Sequence, residues 1–363
     1  MKTYLLITLM LCISVYQWGF TLSTRNELAL INTVYLQQSP DRFNSTALWQ
    51  PELNINHDFN TDFNLGLNMR YLLKGDKTFS ESSESSFLKG KAYRLWFKAE
   101  IPQTELRFGL QRLNFGSAQI LRPLQWFDNL DPTDKLQQTE GVQALLLRHY
   151  FLNNANIWFW VIRGEGKQRG FMPVVTKEDT PEFGGRLQYP LSNGEIGLTI
   201  NHRQKTEFFG LDTGAEDRIG FDARLDYGIG LWAESFVSKL AEPFGIAKYQ
   251  APVTIGADYT VSIGNGIYTL LETQLWSQAD KSLSDIKKEY LTFAFSANYP
   301  YSILDTFLYY GIAKDNNDLS SHTLLWRRSY DHLSWDLGLF WDAGKQHKLY
   351  NSRGIKLLLS YIF

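Results

Sequence analysis

The feature that most constrains the fold of this sequence is an alternation of apolar and polar residues with a period of two. The clearest case is residues 61–73, where the odd-numbered positions from Phe63 to Tyr71 are apolar and the positions between them are polar or glycine. The pattern recurs in residues 218–227 and 253–261. Successive side chains of a strand point to opposite faces, whereas a helix repeats about every 3.6 residues. These segments are therefore predicted to be strands with one apolar and one polar face.

The same pattern along the whole chain predicts about eighteen strands, within a range of 16–18. The predicted strands are residues 28–37, 47–57, 61–73, 91–101, 105–111, 142–150, 157–163, 184–189, 195–203, 218–227, 229–239, 253–261, 266–276, 290–299, 303–313, 323–330, 333–341 and 354–363. After the N-terminus, no segment has the roughly 18 consecutive apolar residues that a membrane helix needs. The chain is therefore predicted to be all-β.

The connections between these strands alternate between short turns and long polar loops. The expected long loops are residues 39–46, 74–90, 112–140, 164–182, 204–217, 240–250, 277–288, 314–320 and 342–353. Barrels of the bacterial outer membrane have short periplasmic turns and long extracellular loops, and roughly 9 to 11 residues of each strand cross the bilayer. A soluble β-sandwich has no reason for strict alternation. We therefore expect a transmembrane antiparallel β-barrel.

Both ends of the chain indicate export to the outer membrane of a Gram-negative bacterium. Lys2 followed by the apolar residues 5–16 is typical of a signal peptide, so residues 1–22 are predicted to be removed and residues 23–363 to form one barrel domain. The last strand alternates up to the terminal Phe363. This ending resembles the signal by which outer-membrane proteins reach the barrel-assembly machinery, which is the partner we expect besides outer-membrane lipid.

Composition excludes several other classes of protein. The formal net charge is only -2, so no net positive field would attract nucleic acid. The single cysteine, Cys12, lies in the predicted signal peptide, so no disulfide is expected. Aromatic residues make up 15% of the chain. Many fall near strand ends and are expected to form girdles at the membrane interfaces. These are Tyr71, Tyr189, Tyr227, Tyr249, Trp276, Tyr290, Tyr299, Trp326, Trp335, Trp341 and Tyr361.

The third long loop, residues 112–140, is the strongest candidate for a functional element. Loops beyond roughly 12 to 15 residues are uncommon and usually functional. This loop also contains six large apolar residues, Ile120, Leu121, Leu124, Trp126, Phe127 and Leu130. Because such residues are unfavourable in water, we expect the loop to fold into the barrel and narrow it. Its charges are Arg122, Asp128, Asp131, Asp134 and Lys135. The alternative is an external cap over the strand ends.

A motif around this loop resembles a known family. The residues concerned are GLQR at 109–112, NFG at 114–116 and DNLDPTD at 128–134. Together they resemble the strand-loop signature of porin-like outer-membrane proteins related to the alginate-export barrels, with Phe115 where that signature has tryptophan. The resemblance implies diffusion-type transport and does not identify the solute.

Charges on the polar faces of the predicted strands suggest a second hypothesis. The first half of the chain offers mainly basic residues, Arg70, Arg94, Lys98, Arg107, Arg148, Arg186 and Arg203. The later strands offer mainly acidic ones, Asp222, Asp226, Glu234, Asp258, Glu272, Asp336 and Asp342. Because consecutive strands are neighbours in a barrel, the two sets would face each other across the lumen and create a transverse field. Alternatively, these charges solvate the lumen or pair locally across strands.

Three functions remain open at this point. The first is a passive pore for small polar or anionic solutes, saccharides among them. The second is a barrel that binds an envelope polymer such as capsule without transporting it, and the third is a barrel-embedded hydrolase. No H-E-x-x-H, G-x-S-x-G or phosphate-binding glycine loop is present. We therefore expect no enzyme activity, no metal and no cofactor, and the sequence leaves the oligomeric state open.

Overall fold

The computed structural model of this protein is a closed, antiparallel β-barrel. It describes residues 19–36, 42–80, 83–128, 139–167, 169–170, 175–206, 214–241, 247–315, 320–343 and 352–363. Each strand pairs with its neighbours in sequence, and the first strand pairs with the last, Glu27 opposite Ile362, which closes the barrel. The predicted all-β fold class is confirmed. Among the described residues, no helix is long and apolar enough to cross a membrane.

Nineteen strands and one short 3₁₀ helix, Leu283–Asp285, make up the described secondary structure. The strands of the first half are β1 (Phe20–Leu36), β2 (Arg42–Asn60), β3 (Phe63–Ser80), β4 (Ser83–Ile101), β5 (Thr104–Gln111), β6 (Val142–Tyr150), β7 (Asn156–Arg163), β8 (Pro181–Leu191) and β9 (Gly194–Gln204). Those of the second half are β10 (Ala215–Asp226), β11 (Gly230–Leu240), β12 (Tyr249–Gln250), β13 (Val253–Val261), β14 (Ile267–Ala279), β15 (Lys287–Pro300), β16 (Asp305–Lys314), β17 (Ser320–Ser329), β18 (Leu333–Ala343) and β19 (Arg353–Ile362).

The short strand β12 is an extension of β13, so the barrel has eighteen strand positions. On β11, Ser238 pairs with Gln250 of β12 and Ser235 pairs with Val253 of β13, which is one continuous register. Pro252 lies between the two segments. Proline has no backbone N–H to donate to a ladder, so it interrupts the strand without shifting its register.

The two faces of each strand differ in the way the alternation predicts. On β10, Glu216, Arg218 and Asp222 are buried inside the barrel, whereas Ile219 and Phe221 are exposed on the outside. Leucine, isoleucine, valine and phenylalanine side chains are exposed in the same way along most of the other strands. An apolar exterior around a polar interior is the arrangement that suits a barrel in a lipid bilayer.

The first four strands are much longer than the sequence predicted. The expected loop at residues 74–90 is wrong, because β3 continues to Ser80 and β4 starts at Ser83, and most of the expected loop 39–46 belongs to β2. Residues 84–92 of β4 are all exposed, on both faces. A strand with water on both sides has no apolar face, so the alternation that reveals the other strands is missing here.

Two of the aromatic residues expected in the girdles, Trp276 and Tyr290, lie inside the barrel instead. Trp276 is buried on the inner face of β14, and its ring stacks on that of Tyr290 at 5.8 Å between centroids. Both residues pack against a hydrophobic cluster inside the barrel. Proximity to a strand end therefore did not distinguish an interface aromatic from one that faces inward.

Candidate functional site

The connection from β5 to β6 crosses the inside of the barrel. We refer to its described residues 112–128 as the inner loop. They contact side chains of β10, β11, β13 and β14, although β5 itself pairs only with β4 and β6. Strands so far apart around a closed barrel can be reached only through its interior. The inner loop therefore lies in the lumen against the opposite wall.

Glu272 of β14 holds the middle of the inner loop. Its Oε1 atom accepts the backbone N–H of Gln119 at 2.7 Å, and its Oε2 atom accepts those of Ile120 at 3.0 Å and Leu121 at 2.5 Å. Trp232 of β11 also donates its indole N–H to Oε1, at 2.9 Å. A carboxylate that accepts four hydrogen bonds is well compensated for its burial, because bonds to a charged acceptor are strong.

A second carboxylate, Glu234 of β11, binds the inner loop on both sides of residues 119–121. Its Oε2 atom accepts the backbone N–H of Ala118 at 2.8 Å, and its Oε1 atom accepts that of Leu124 at 2.6 Å. Both Glu234 and Glu272 are fully buried, at 0% exposure. Backbone N–H groups in an irregular loop have no ladder partner, so buried carboxylates on the wall satisfy them.

Side-chain contacts extend the attachment along the same wall. Ser117 donates to Asp222 of β10 at 3.1 Å, and Gln119 donates to Asp258 of β13 at 3.4 Å. Thr254 of β13 donates to the carbonyl of Leu121 at 2.8 Å. Four strands thus fix the path of the inner loop.

The inner loop also has a hydrophobic core of its own within the lumen. Phe115, Leu124, Trp126 and Phe127 are each less than 8% exposed. They pack against inward-facing apolar residues of β6, β7, β11 and β14, namely Val142, Ala144, Leu146, Trp160, Ile162, Phe236 and Trp276. Large apolar residues buried in this way stabilise the loop by roughly 1.5–3 kcal/mol each. This part of the barrel is filled with side chains.

The loop charges predicted as site residues have different positions. Arg122 is 6% exposed and donates to Asn114 and to the carbonyl of Phe115, so it braces the loop itself. The buried Asp128 lies 3.4 Å from Nε of Arg112. Asp131 and Asp134 lie outside the described residues.

The basic residues predicted on the strands lie on the inner face, and most of them have a carboxylate partner close by. The ion pairs are Arg70–Glu27 at 3.3 Å, Lys98–Glu100 at 2.6 Å, Arg107–Glu105 at 2.8 Å, Arg186–Asp222 at 2.5 Å and Arg203–Glu216 at 2.6 Å. Arg94 instead donates to the side chain of Thr139 at 2.9 Å. Pairing with nearby carboxylates, within one strand for Lys98 and Arg107 and between strands for the other three, therefore accounts for much of this charge.

Five of the seven acidic residues predicted on the later strands fall into two groups. Asp222, Glu234 and Glu272 are buried under the inner loop. Asp258 pairs with Arg224 at 3.0 Å, and Asp226 is an exposed residue near the short-turn end that also contacts Arg224. The other two, Asp336 and Asp342, lie on β18, where Asp336 pairs with Arg327 at 2.9 Å. Most of the predicted acidic residues thus lie on the wall that binds the loop, and β18 carries the rest.

Open space remains on the other side of the lumen. A cavity of about 400 Å³ lies along the inner faces of β1, β2, β17, β18 and β19. Its polar lining includes Asn44, Thr46, Ser321, Thr323, Asp342 and Lys356. We call this surface the open wall. A polar, partly charged surface of this kind is suited to contact with water and polar solutes.

Comparison with known proteins depends on structure alone. No protein-family model matches the chain, and no curated protein matches it in sequence. Among solved structures, OccK2 (OpdF) of Pseudomonas aeruginosa in complex with glucuronate aligns with a TM-score of 0.62 at 10% identity, over 94% of this chain and 98% of that one. OmpF of Salmonella typhi in complex with daunomycin aligns with a TM-score of 0.55 at 10% identity, over 96% and 99%. The chain has the fold of the bacterial outer-membrane porins.

The porin fold and the apolar exterior place the protein in a bacterial outer membrane. OccAB4 of Acinetobacter baumannii shares the fold as well, with a TM-score of 0.60 at 10% identity over 95% of this chain and 98% of that one. At such low identity the alignments establish the architecture, and residue roles must come from the geometry of this barrel. Among the described residues, no group of three or more His, Cys, Asp or Glu is placed to hold a metal.

The inward aromatic residues that support the loop were not among the predicted site residues. Trp160 donates its indole N–H to Asn201 at 3.0 Å, and its ring stacks on Phe115 at 5.6 Å between centroids. Phe236 contacts Trp126 edge to face. A signal was present, because β7 and β11 carry large apolar residues on both faces instead of alternating. In a barrel, such a strand indicates that something apolar covers its inner face.

Proposed function

We propose that this protein is an outer-membrane pore through which small polar or anionic solutes, saccharides among them, diffuse passively. The observation that carries the proposal is the attachment of the inner loop to the wall across the lumen by Glu234 and Glu272. A loop fixed in this way leaves a narrower passage than the bare barrel. Transport through it requires no cofactor and follows the concentration gradient of the solute.

The distribution of filled and open space supports this function. The inner loop and its core occupy the side of the lumen near β6, β7, β10, β11 and β14. The remaining space runs along the open wall, where hydroxyl, amide and charged groups can replace the hydration of a passing solute. Apolar solutes gain nothing from such a lining. A polar solute is therefore the class that the passage suits.

The charge pattern bears on ion preference. Because most of the basic inner-face residues lie close to carboxylates, the transverse field expected from separate basic and acidic walls is reduced. We infer that the pore has a modest ion preference and that hydrogen bonding along the open wall contributes most to solute selection. A reversal potential in a salt gradient measures this preference directly.

The decisive experiment is single-channel conductance of the refolded protein in a planar bilayer, beside a variant lacking residues 119–134. Discrete steps that become larger after the deletion support a pore narrowed by the inner loop. A barrel that stays silent in both forms contradicts the pore and favours binding of an envelope polymer such as capsule. Turnover of a lipid or ester substrate by the purified protein would favour the hydrolase instead.

Three finer assignments belong with this proposal. The first is a relationship to the alginate-export barrels, for which residues 109–116 and 128–134 argue. The second is removal of residues 1–22 as a signal peptide. The third is delivery by the barrel-assembly machinery through the strand that ends at Phe363. Each needs its own measurement, and N-terminal sequencing of the mature protein addresses the second.

A further inference from the structure

The open wall contains two aromatic side chains among its polar ones. Phe340 of β18 and Tyr35 of β1 both line the cavity of about 400 Å³. Their rings lie 5.6 Å apart between centroids, at an interplanar angle of 73°. Both side chains are half-buried, whereas Trp160 and Phe236 are fully buried under the inner loop. Two aromatic rings are therefore accessible from the lumen on the side that the inner loop leaves open.

Two glycines make room beside these rings. Gly354 of β19 pairs with both Tyr35 and Phe340. The ring of Phe340 leans over it, because a Cβ at Gly354 would stand 2.5 Å from the Cζ atom of Phe340. Gly338, on the same face of β18 as Phe340, also lines the cavity, and a Cβ there would meet nothing closer than 3.7 Å. We call the surface formed by Tyr35, Gly338, Phe340 and Gly354 the aromatic recess.

Polar groups around the aromatic recess have unused hydrogen-bonding capacity. Lys356 lines the cavity and, among the described residues, has neither an ion pair nor a hydrogen bond. Asp342 accepts a hydrogen bond from Ser352 with one carboxylate oxygen, and Asn44 accepts one from Arg42 with its amide oxygen. Within the described part of the chain, the second oxygen of Asp342 and the amide nitrogen of Asn44 have no partner. These groups can therefore bond to a solute in place of water.

The charges that line the cavity favour a neutral solute that both donates and accepts hydrogen bonds. Lys356 and Asp342 have opposite signs, and the third charged lining residue, Asp336, pairs with Arg327 at 2.9 Å. An anionic group attracted by Lys356 would be repelled by Asp342, and a cationic group would meet the reverse. Hydroxyl groups donate and accept, so a polyhydroxylated solute can use both side chains. A pyranose ring also has an apolar C–H face, which gains by packing against an aromatic ring.

We propose that the aromatic recess binds one ring of a neutral saccharide, with the C–H face of the sugar packed on Phe340. The hydroxyl groups of that ring bond to Asp342, Lys356 and Asn44. The cavity, at about 400 Å³, lies within the range of about 300–1,000 Å³ that is usual for small-molecule sites. This inference rests on the proposed function in one respect, that solutes enter the lumen. It locates the selection of solutes on the open wall, across the lumen from the strands that hold the inner loop.

The test measures binding of uncharged disaccharides to the purified, refolded protein by equilibrium dialysis, with maltose, lactose and cellobiose as probes. Phe340→Ala removes the ring, Phe340→Tyr keeps it, and Gly338→Val adds a side chain where a Cβ has room. Trp341→Ala, an aromatic truncation on the outward face of β18, is the matched control. Heat-modifiable gel migration shows that each variant is folded. Conductance in a planar bilayer is recorded for the same samples.

We expect the wild type, Phe340→Tyr and Trp341→Ala to bind at least one of the disaccharides with equal affinity. Phe340→Ala and Gly338→Val should weaken that binding about tenfold, which corresponds to about 1.4 kcal/mol. Sodium glucuronate, as a charged comparator, should bind no more tightly than the neutral sugars. Failure of all three disaccharides to bind would overturn the proposal. So would unchanged binding by Phe340→Ala, or tighter binding of glucuronate.

The polar contacts have their own variants. Asp342→Ala and Lys356→Met each remove a hydrogen-bonding group and should weaken binding severalfold. Lys287→Met, at an exposed lysine of β15, should leave it unchanged. Wild-type affinity in both Asp342→Ala and Lys356→Met would contradict the contacts assigned to the sugar hydroxyls. A barrel that conducts without binding any of the disaccharides contradicts the aromatic recess alone, and one that binds them without conducting contradicts the pore alone.

Discussion

Gly116 of the inner loop and Glu234 of β11 are so close that a larger residue at position 116 would displace the carboxylate. A Cβ built on Gly116 would stand 2.3 Å from Oε2 of Glu234, and the φ of Gly116 is 102°, in the region that favours glycine. The same Oε2 atom accepts the N–H of Ala118 two residues later. The backbone therefore passes directly over the carboxylate that holds it.

Gly116→Ala is expected to detach this part of the inner loop. The positive φ alone costs about 1–3 kcal/mol for a residue with a Cβ, and the clash with Glu234 adds to that cost. Single-channel conductance should rise and become noisier. Gly75→Ala is the matched control, because a Cβ there meets only Leu88 at 3.7 Å. Unchanged conductance in Gly116→Ala would argue against a loop that narrows the pore.

Glu272→Gln should loosen the middle of the loop without changing the size of the side chain. Each carboxylate oxygen of Glu272 accepts hydrogen bonds from two N–H groups. The NH₂ group of glutamine cannot accept a hydrogen bond, so whichever oxygen it replaces, two N–H donors would face another donor. Leaving buried donors unsatisfied costs about 1–3 kcal/mol each. We expect larger and more variable conductance steps. Glu195→Gln, near the short-turn end of β9, should behave like the wild type in the same recordings.

Trp126→Ala tests the hydrophobic part of the attachment. Trp126 is 2% exposed and contacts Phe115, Phe127 and Phe236. Its removal leaves a cavity in the lumen core, and comparable substitutions cost about 3–5 kcal/mol. The thermal unfolding midpoint in detergent should fall clearly. Trp335→Ala is the control, because the side chain of Trp335 faces outward on β18. Lipid or detergent can fill the space that the ring leaves there, so the midpoint should fall less.

The alternation of the strands was enough to predict the barrel, and it failed in particular places for physical reasons. All eighteen strand positions were predicted because one face of each meets lipid. The pattern predicts a loop at residues 84–90 of β4 because both faces of the strand are exposed there. The strand pattern predicts a girdle position for Trp276, which instead packs inside the barrel. An aromatic residue near a strand end gives the same pattern whether it lies at the membrane interface or against a loop in the lumen.

The site was harder to predict than the fold, because it depends on contacts between distant parts of the sequence. Glu234 and Glu272 could be placed on the inner face by counting along their strands. Their role as hydrogen-bond acceptors for the backbone of residues 118–124 could not be predicted, because it depends on the path of a loop more than 100 residues away in the sequence. Arg186 and Asp222 were likewise expected on opposing walls, and they instead form one ion pair.

Asp222→Asn should destabilise the barrel because it leaves Arg186 without its charge partner. Both nitrogens at the end of the Arg186 side chain donate to Asp222, at 2.5 and 3.0 Å, and both side chains are at most 2% exposed. Breaking one partner of a buried pair costs about 3–5 kcal/mol. Guanidinium unfolding in detergent measures the loss. Asp179→Asn, which removes the partner of Arg163 in an exposed pair, should have little effect. Similar midpoints for the two variants would contradict this account of the wall.

Phe363→Ala separates folding from delivery. The backbone of Phe363 exchanges two hydrogen bonds with Asn26 across the seam between β1 and β19, and these bonds survive the substitution. Refolding of the purified variant in detergent should therefore be close to normal. If Phe363 is the residue that the assembly machinery recognises, the amount of folded barrel in the outer membrane of expressing cells should fall severalfold. Phe293→Ala, an exposed aromatic residue in the middle of β15, serves as the control. Normal assembly of Phe363→Ala in cells would show that the assembly machinery does not require the aromatic ring of Phe363.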